Sequence, residues 1–461
     1  MTTSEHPYDV AIVGGGAAGL AAAWHLRDKR IVLLEQSDRV GGRMRSESRG
    51  RYWINLGCHL FPGPGSNLHR LIEDLSLHTL AIPGIKSALA VDGRVYAARR
   101  VESYPFRLPL SLRERGALTI AGLKLRRAVQ DYYANAAPRA EDQEQQRRAR
   151  INAFRSGESA QDLLGALPPR IQELLATAGQ RSAADLDEQS GGVIASLFAS
   201  VWGGKRAFAA LNVAGGSGRL PEAVAGQLGE RVILNAAVSQ VKGSSEGEVE
   251  VSYRDVSGDQ RLTARQVIVA VPAPHARRIV TDLPAQLDRC LADVRYGPFV
   301  CMGMLTTETT AMPWADIYAM TTPGLSFNMF FNHGNVVARE PAAPGGSLMV
   351  YAGASAARPL LELDDDQIRA RFRRDLIRLY PQLEHLIGES IVRRWELGNM
   401  YRQPGFDVTP LLTYSKQRDV AVHFAGDYFA ELGNVEQAAT AGLEAARRVR
   451  QALGSDRGGR L

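Results

Sequence analysis

Cysteine is nearly absent from this chain. Its three copies in 461 residues, Cys58, Cys290 and Cys301, are odd in number and far apart, with no CxxC pair. That excludes a disulfide scaffold and the cysteine-based zinc sites, so no metal is expected and the expected compartment is the cytoplasm. Lysine is also scarce, with six copies against 49 arginines, so arginine carries the net charge of +6. This is a bias of composition, and no nucleic-acid partner is expected from it. No apolar run reaches the roughly 18 residues of a spanning helix. The early run VAIVGGGAAGLAAAW follows Glu5 and Asp9 instead of a basic region, and it lacks a secretory cleavage pattern. Repeats, Pro-rich linkers and low-complexity tracts are missing too. What is left, 45% hydrophobic and 23% charged, is an ordinary globular chain. It is too long for one core at roughly 150 residues per domain, which implies two or three interwoven units.

The chemistry begins at DVAIVGGGAAGLAAAWHLRDKRIVLLE, residues 9–35. An apolar strand, a glycine turn, a helix with Ala17 and Ala18 in its first turn, and a second apolar strand make one βαβ unit. Gly14, Gly16 and Gly19 form G-x-G-x-x-G at the strand-to-helix turn. There the helix N-terminus offers N–H groups to a pyrophosphate, and the middle glycine lets it approach. Glu35, followed by Gln36, ends the second strand 21 residues after Gly14, where an acid accepts hydrogen bonds from ribose hydroxyls and disfavours NADP. The pattern fits FAD and NAD alike. EQSDRVGGRMRS (35–46) then adds Arg39, Gly41, Gly42 and Arg43, and Arg43 is expected to offer a pyrophosphate a bidentate charge.

An acid followed by R-x-G-G-R resembles the start of the flavin-containing amine oxidase superfamily, which includes protoporphyrinogen oxidase and the phytoene desaturases. Three later stretches are similar to it in the family's order: YWINLGCHLF (52–61), GGSGRLPEAVAGQLGERVILNAAVSQV (215–241) and VHFAGDYFAELGNVEQAATAGLEAA (422–446). The first has Asn55 where the family usually has Asp. The resemblance implies non-covalent FAD, with the Gly57 turn under the flavin and Val238 at the adenine end. It also implies Gly426 and Asp427 at the ribityl or pyrophosphate oxygens, and Asn434 and Val435 near the pyrimidine. The implied fold class is α/β, a discontinuous Rossmann-like FAD-binding domain (1–80, 213–290 and 400–461) with an inserted α+β substrate domain (81–212 and 291–399).

Flavin supplies the hydride chemistry, so absences guide the choice of reaction. Amine oxidases of the resembling family carry a lysine on the strand after the interdomain crossing. The similar stretch VRYGPFVCMGML holds Cys301 in that region, and Lys242 is the only lysine between Lys205 and Lys416. The family's aromatic pair is matched by Gly398 and Asn434. These departures lead to an expectation of dehydrogenation of a rather apolar small-molecule metabolite. Two alternatives stay open: an amine or amino acid oxidase acting on a C–N bond, and a mutase or isomerase that uses reduced FAD without net redox change. Candidate catalytic residues are His59, after the glycine turn, and Tyr401; His333 ends a Met- and Phe-rich strand that packs a core or lines a pocket. Arginines around residues 122–155 suggest a solvated helix face, with peripheral contact to a membrane surface as the other reading.

Overall fold

The last four side chains of the strand Tyr8–Val13 are all buried, because this strand is covered on both faces. The computed structural model describes residues 7–139, 144–203, 210–243, 247–337, 344–417 and 419–455. Tyr8–Val13 lies between Ile31–Leu34 and Gly258–Val269 in a seven-stranded sheet. Val232–Ile233 flanks Ile31–Leu34, while Val249–Asp255, Ala237–Gly243 and Val422–Phe424 extend the other side. The pairings beside the glycine turn are parallel, with Val13 opposite Leu34 and Val269, and Val267 opposite Val422. Three stretches far apart in sequence thus supply one sheet.

Alternation along these strands divides two cores. Val10, Ile12, Leu33 and Ile268 share a cluster with Leu20 and Ala22 of the helix Ala17–His25 and with Ala445 and Val449 of the closing helix Val435–Ser455. Ala11, Val13, Val32 and Val269 belong to the opposite cluster, with Leu287, Leu291, Phe424 and Tyr428. The two helices cross in near backbone contact, since a side chain at Gly442 would stand 2.0 Å from the Ala18 carbonyl oxygen.

A second seven-stranded sheet runs Ile387–Tyr401, Arg295–Thr306, Gly346–Gly353, Met329–Asn332, Ala319–Thr321, Ala88–Val91, Arg94–Tyr96. Period-two alternation again sorts its side chains. Val300, Met302, Phe330 and Val350 pack with Phe372 and Leu376 of the helix Asp365–Leu379, whose first turn is closed by a capping box between Asp364 and Gln367. Cys301, Phe331, Met349 and Tyr351 alternate with these and cluster with Tyr318 and Trp395 instead.

The stretch between the two sheets in sequence is helical as expected at Leu112–Ala136, Glu144–Ala153, Pro169–Gly179 and Gly191–Trp202, although short strands at Thr79–Ala81, Ala88–Val91 and Arg94–Tyr96 precede them. The arginines at 147, 148 and 150 are half-buried and reach other parts of the fold. Arg148 makes a bidentate pair with Glu444 of the closing helix at 2.7 and 2.8 Å, and Arg147 and Arg150 donate to the Ala136 and Asn135 carbonyls. The acids at 141 and 142 lie outside the described residues.

Candidate active site

Gly14 leaves the first strand with φ +101°, a conformation that side chains rarely adopt. Two residues on, Gly16 is extended and half-buried, and a Cβ there would meet no protein atom within 4 Å. Gly42, at φ +53°, faces the same opening, its nearest neighbour being the Gly16 Cα at 3.6 Å. The half-buried Ala17, the buried Ala18 and Gly19 follow in the first helical turn, which holds no acidic side chain and no side-chain cap. Its first N–H groups have no intrahelical partner and point out of the helix end.

Glu35 closes the turn from the other side. It is buried, and each carboxylate oxygen accepts one backbone N–H, from Gly15 at 2.7 Å and from Ser37 at 2.9 Å, which leaves a lone pair on each oxygen. Gln36 beside it is exposed. The Ala236 N–H donates to the Glu35 carbonyl, so the strand carrying half-buried Val238 starts beside the acid. Its ladder shifts register between Val238 and Gln240.

Arg39 and Arg43 have different tasks. Arg39 donates to the Val40, Gly42 and Met44 carbonyls and so braces its own loop. Arg43 is not left as a free bidentate fork: Nη2 donates to Asp427 Oδ2 at 2.7 Å and Nη1 to the Gly398 carbonyl at 3.2 Å. Burial pulls its pKa down, but the Asp427 carboxylate and neighbouring groups outweigh that and raise it. The same pair brings in Gly57, where a side chain would stand 2.2 Å from the Arg43 carbonyl oxygen. Gly426 is extended against the Tyr428 ring. Asn434 is exposed, and its Oδ1 accepts the Gln437 N–H at 2.9 Å. It therefore caps the closing helix that starts at Val435, a role that the sequence pattern had not suggested.

His59 and Tyr401 are not brought together. Tyr401 bridges to Leu432 through its backbone, and its ring lies in the field of Glu188, Arg358 and Arg295. His59 lies beside the Gly57 turn, with Nδ1 3.3 Å from the Gly57 carbonyl. Its ring meets Phe331 edge-on at 4.5 Å and His333 at 4.7 Å, and His333 in turn stacks on Phe331 within 9°. His59 Nε2 and both His333 nitrogens are buried without partners. Burial lowers the His59 pKa to about 4 against a small lift from the Gly57 carbonyl, and burial and the facing His59 lower His333 further. At neutral pH both rings are uncharged. Sequence reasoning missed Tyr318, Tyr351 and Trp395, which complete this wall; Trp395 Nε1 donates to the Leu56 carbonyl at 2.7 Å. Cys301 also turns to Leu56, at 3.0 Å, and burial pushes its thiol up to about 12.

An open space between Gly16 and Gly42, uncommitted helix N–H groups, and spare lone pairs on Glu35 fit a dinucleotide. Asn55, fully buried with neither amide atom partnered, adds an unspent polar group. This fold and site define a dinucleotide-binding protein. The flavin containing amine oxidoreductase family profile matches residues 17–450, so the chain belongs to that family and is an FAD-dependent oxidoreductase. L-amino-acid oxidase of Mus musculus is 26% identical over 98% of this chain and 72% of its own. L-amino-acid oxidase of Demansia vestigiata is also 26% identical, over 98% and 88%. Among solved structures, cyclohexylamine oxidase from Brevibacterium oxydans IH-35A superposes with a TM-score of 0.77 at 19% identity over 97% of this chain and 100% of its own. Putrescine oxidase bound to putrescine gives 0.72 at 21% identity, over 96% and 99%.

Because a Cβ at Gly16 would meet no protein atom within 4 Å, Gly16→Ala is expected to lower the apoprotein's thermal midpoint by no more than the loss of an N-cap glycine. FAD affinity should fall by roughly tenfold or more, ~1.4 kcal/mol, read by flavin fluorescence titration. Equal affinity would move the cofactor elsewhere.

Proposed function

We propose that this protein oxidises the C–N bond of an amine or amino acid. The observation that carries this reading is the similarity to L-amino-acid oxidases along 98% of the chain, supported by a fold shared with cyclohexylamine and putrescine oxidases. It displaces dehydrogenation of an apolar metabolite from first place, because none of these relatives is named for that reaction. What still favours the displaced reading is the absence of lysine from Arg295–Thr306, where the buried Cys301 stands.

Bound FAD supplies a hydride acceptor for the carbon next to nitrogen. We propose that Gly14, Gly16, Ala17, Ala18, Gly19, Glu35 and Gly42 hold its dinucleotide end and that Arg43, Gly57, Gly426, Asp427 and Val435 hold the remainder. Attachment is non-covalent: burial raises the Cys58 thiol, nearest the Gly57 turn, to about 11, so it stays protonated. The FAD-binding domain takes in the first sheet and the substrate domain the second, with boundaries as the sequence suggests. All three cysteines are free thiols, which supports a cytoplasmic setting.

On the substrate side, Tyr318, Phe331, Tyr351 and Trp395 keep water from the His59 face. The uncharged imidazoles of His59 and His333 can accept from an amine N–H or donate to a carboxylate without adding net charge. With a pKa near 4, His59 is a weak proton acceptor, so its role here is to orient the substrate.

Anaerobic mixing of the purified holoenzyme with L-amino acids, monoamines, polyamines, a porphyrinogen and a polyene separates the readings. Bleaching of the flavin band by an amine or amino acid is expected. Bleaching by the porphyrinogen or polyene alone would restore the second reading, and activity only after dithionite reduction would contradict both.

The buried imidazoles also set a pH dependence. His59 has a folded pKa of about 4 against roughly 6.5 unfolded, so the unfolded chain binds the extra proton and stability falls as pH drops from about 6.5 towards 4. His423 is displaced the same way. The difference between wild type and His59→Leu therefore isolates the His59 contribution, and the variant should lose less stability over that window in denaturant melts. Parallel curves would put His59 in contact with water.

A further inference from the structure

Six large apolar side chains are exposed among the described residues, and four of them, Phe106, Leu112, Ile120 and Leu123, lie within 18 residues at 58–87% exposure. The other two, Leu234 and Val256, are isolated. The inner face of the helix Leu112–Ala136 is fully used, with Leu118, Ala121, Leu125, Ala128 and Val129 buried. Positions 112, 116, 120, 123 and 127 fall within about a quarter-turn of the opposite face, and Leu112 to Leu123 spans about 17 Å. Phe106 extends this stripe across the preceding turn, where Arg115 lies 5.8 Å over its ring. A contiguous apolar strip of this kind marks a contact surface.

Its surroundings indicate what the contact is. Between residues 99 and 131 there are eight basic and three acidic side chains, an excess close to the net +6 of the whole chain. The three acids are engaged: Glu114 in the capping box with Ser111, Glu102 by the Trp202 indole N–H, and Asp131 by Arg127. Arg107, Arg113 and Arg126, all exposed, flank the apolar stripe. We infer that this face, the outer side of Leu112–Ala136 with Phe106, docks the protein on an anionic lipid bilayer surface. Apolar side chains enter the headgroup boundary while the arginines meet lipid phosphates, the division of labour of an interfacial helix. A symmetric second copy would set two arginine-rich faces against each other, which charge repulsion opposes.

The test is flotation of the FAD-loaded full chain with vesicles of phosphatidylcholine alone and of phosphatidylcholine mixed with phosphatidylglycerol. Binding is expected on the anionic vesicles and to weaken as salt is raised. Arg113→Glu with Arg126→Glu should lower it roughly tenfold or more. Leu112→Ser with Leu123→Ser should abolish whatever binding survives high salt. Both variants should keep wild-type turnover in solution, which shows that they fold. Equal binding to neutral vesicles, no binding, or variants that float like wild type would overturn the inference. So would a concentration-dependent dimer, in light scattering, that the serine variant dissolves.

Discussion

The pair between Arg43 and Asp427 ties together residues 384 positions apart. Asp427 is 3% exposed, and burying a carboxylate without a charge partner is costly. Arg43 supplies one while reaching Gly398 with its other nitrogen. Several close approaches converge on the pair. A side chain at Gly433 would stand 2.7 Å from Asp427 Oδ2, and one at Gly57 2.2 Å from the Arg43 carbonyl. The start of the closing helix is thereby fixed, and that helix crosses the first one at Gly442 and Ala18. Two helix N-termini and the loop of Gly41 and Gly42 are held as one unit by contacts that no single segment could make.

The second sheet contributes a different constraint. Its alternation sends Val300 and Met302 to one core and Cys301 to another, so the face beside Gly57 is built from aromatic rings and two imidazoles. Burial keeps those imidazoles neutral. A hydride donor presented there meets polar groups without net charge in a dry setting, where oriented dipoles act more strongly than in water. The proposed site therefore sets a charged, hydrogen-bonded cradle beside a wall of neutral rings.

The cradle was legible in the sequence because its signals are local. Glycine spacing, an acid at the end of the second strand and the later strand-to-helix pattern each lie within one element and its turn. The wall was not, because His59 and His333 are 274 positions apart in sequence and periodicity encodes a face, not its partner across the fold. The Arg43–Asp427 pair was not legible for the same reason, since nothing near Arg43 in the sequence names a partner 384 positions away. That Asn434 caps the closing helix through the Gln437 N–H was likewise not read from the pattern. The choice of reaction leaned on a missing lysine. With the hydride chemistry resident in the flavin, one absent side chain does not decide which bond is oxidised, and similarity along the whole chain carries more weight.

A double-mutant cycle on the central pair, read as FAD retained by the purified protein, tests the account most directly. Arg43→Gln and Asp427→Asn are each expected to weaken retention, and the double variant should lose no more than the worse single one, because the pair acts as one unit. Losses that simply add, or FAD held as tightly as in the wild type, would contradict a cofactor site assembled by this pair.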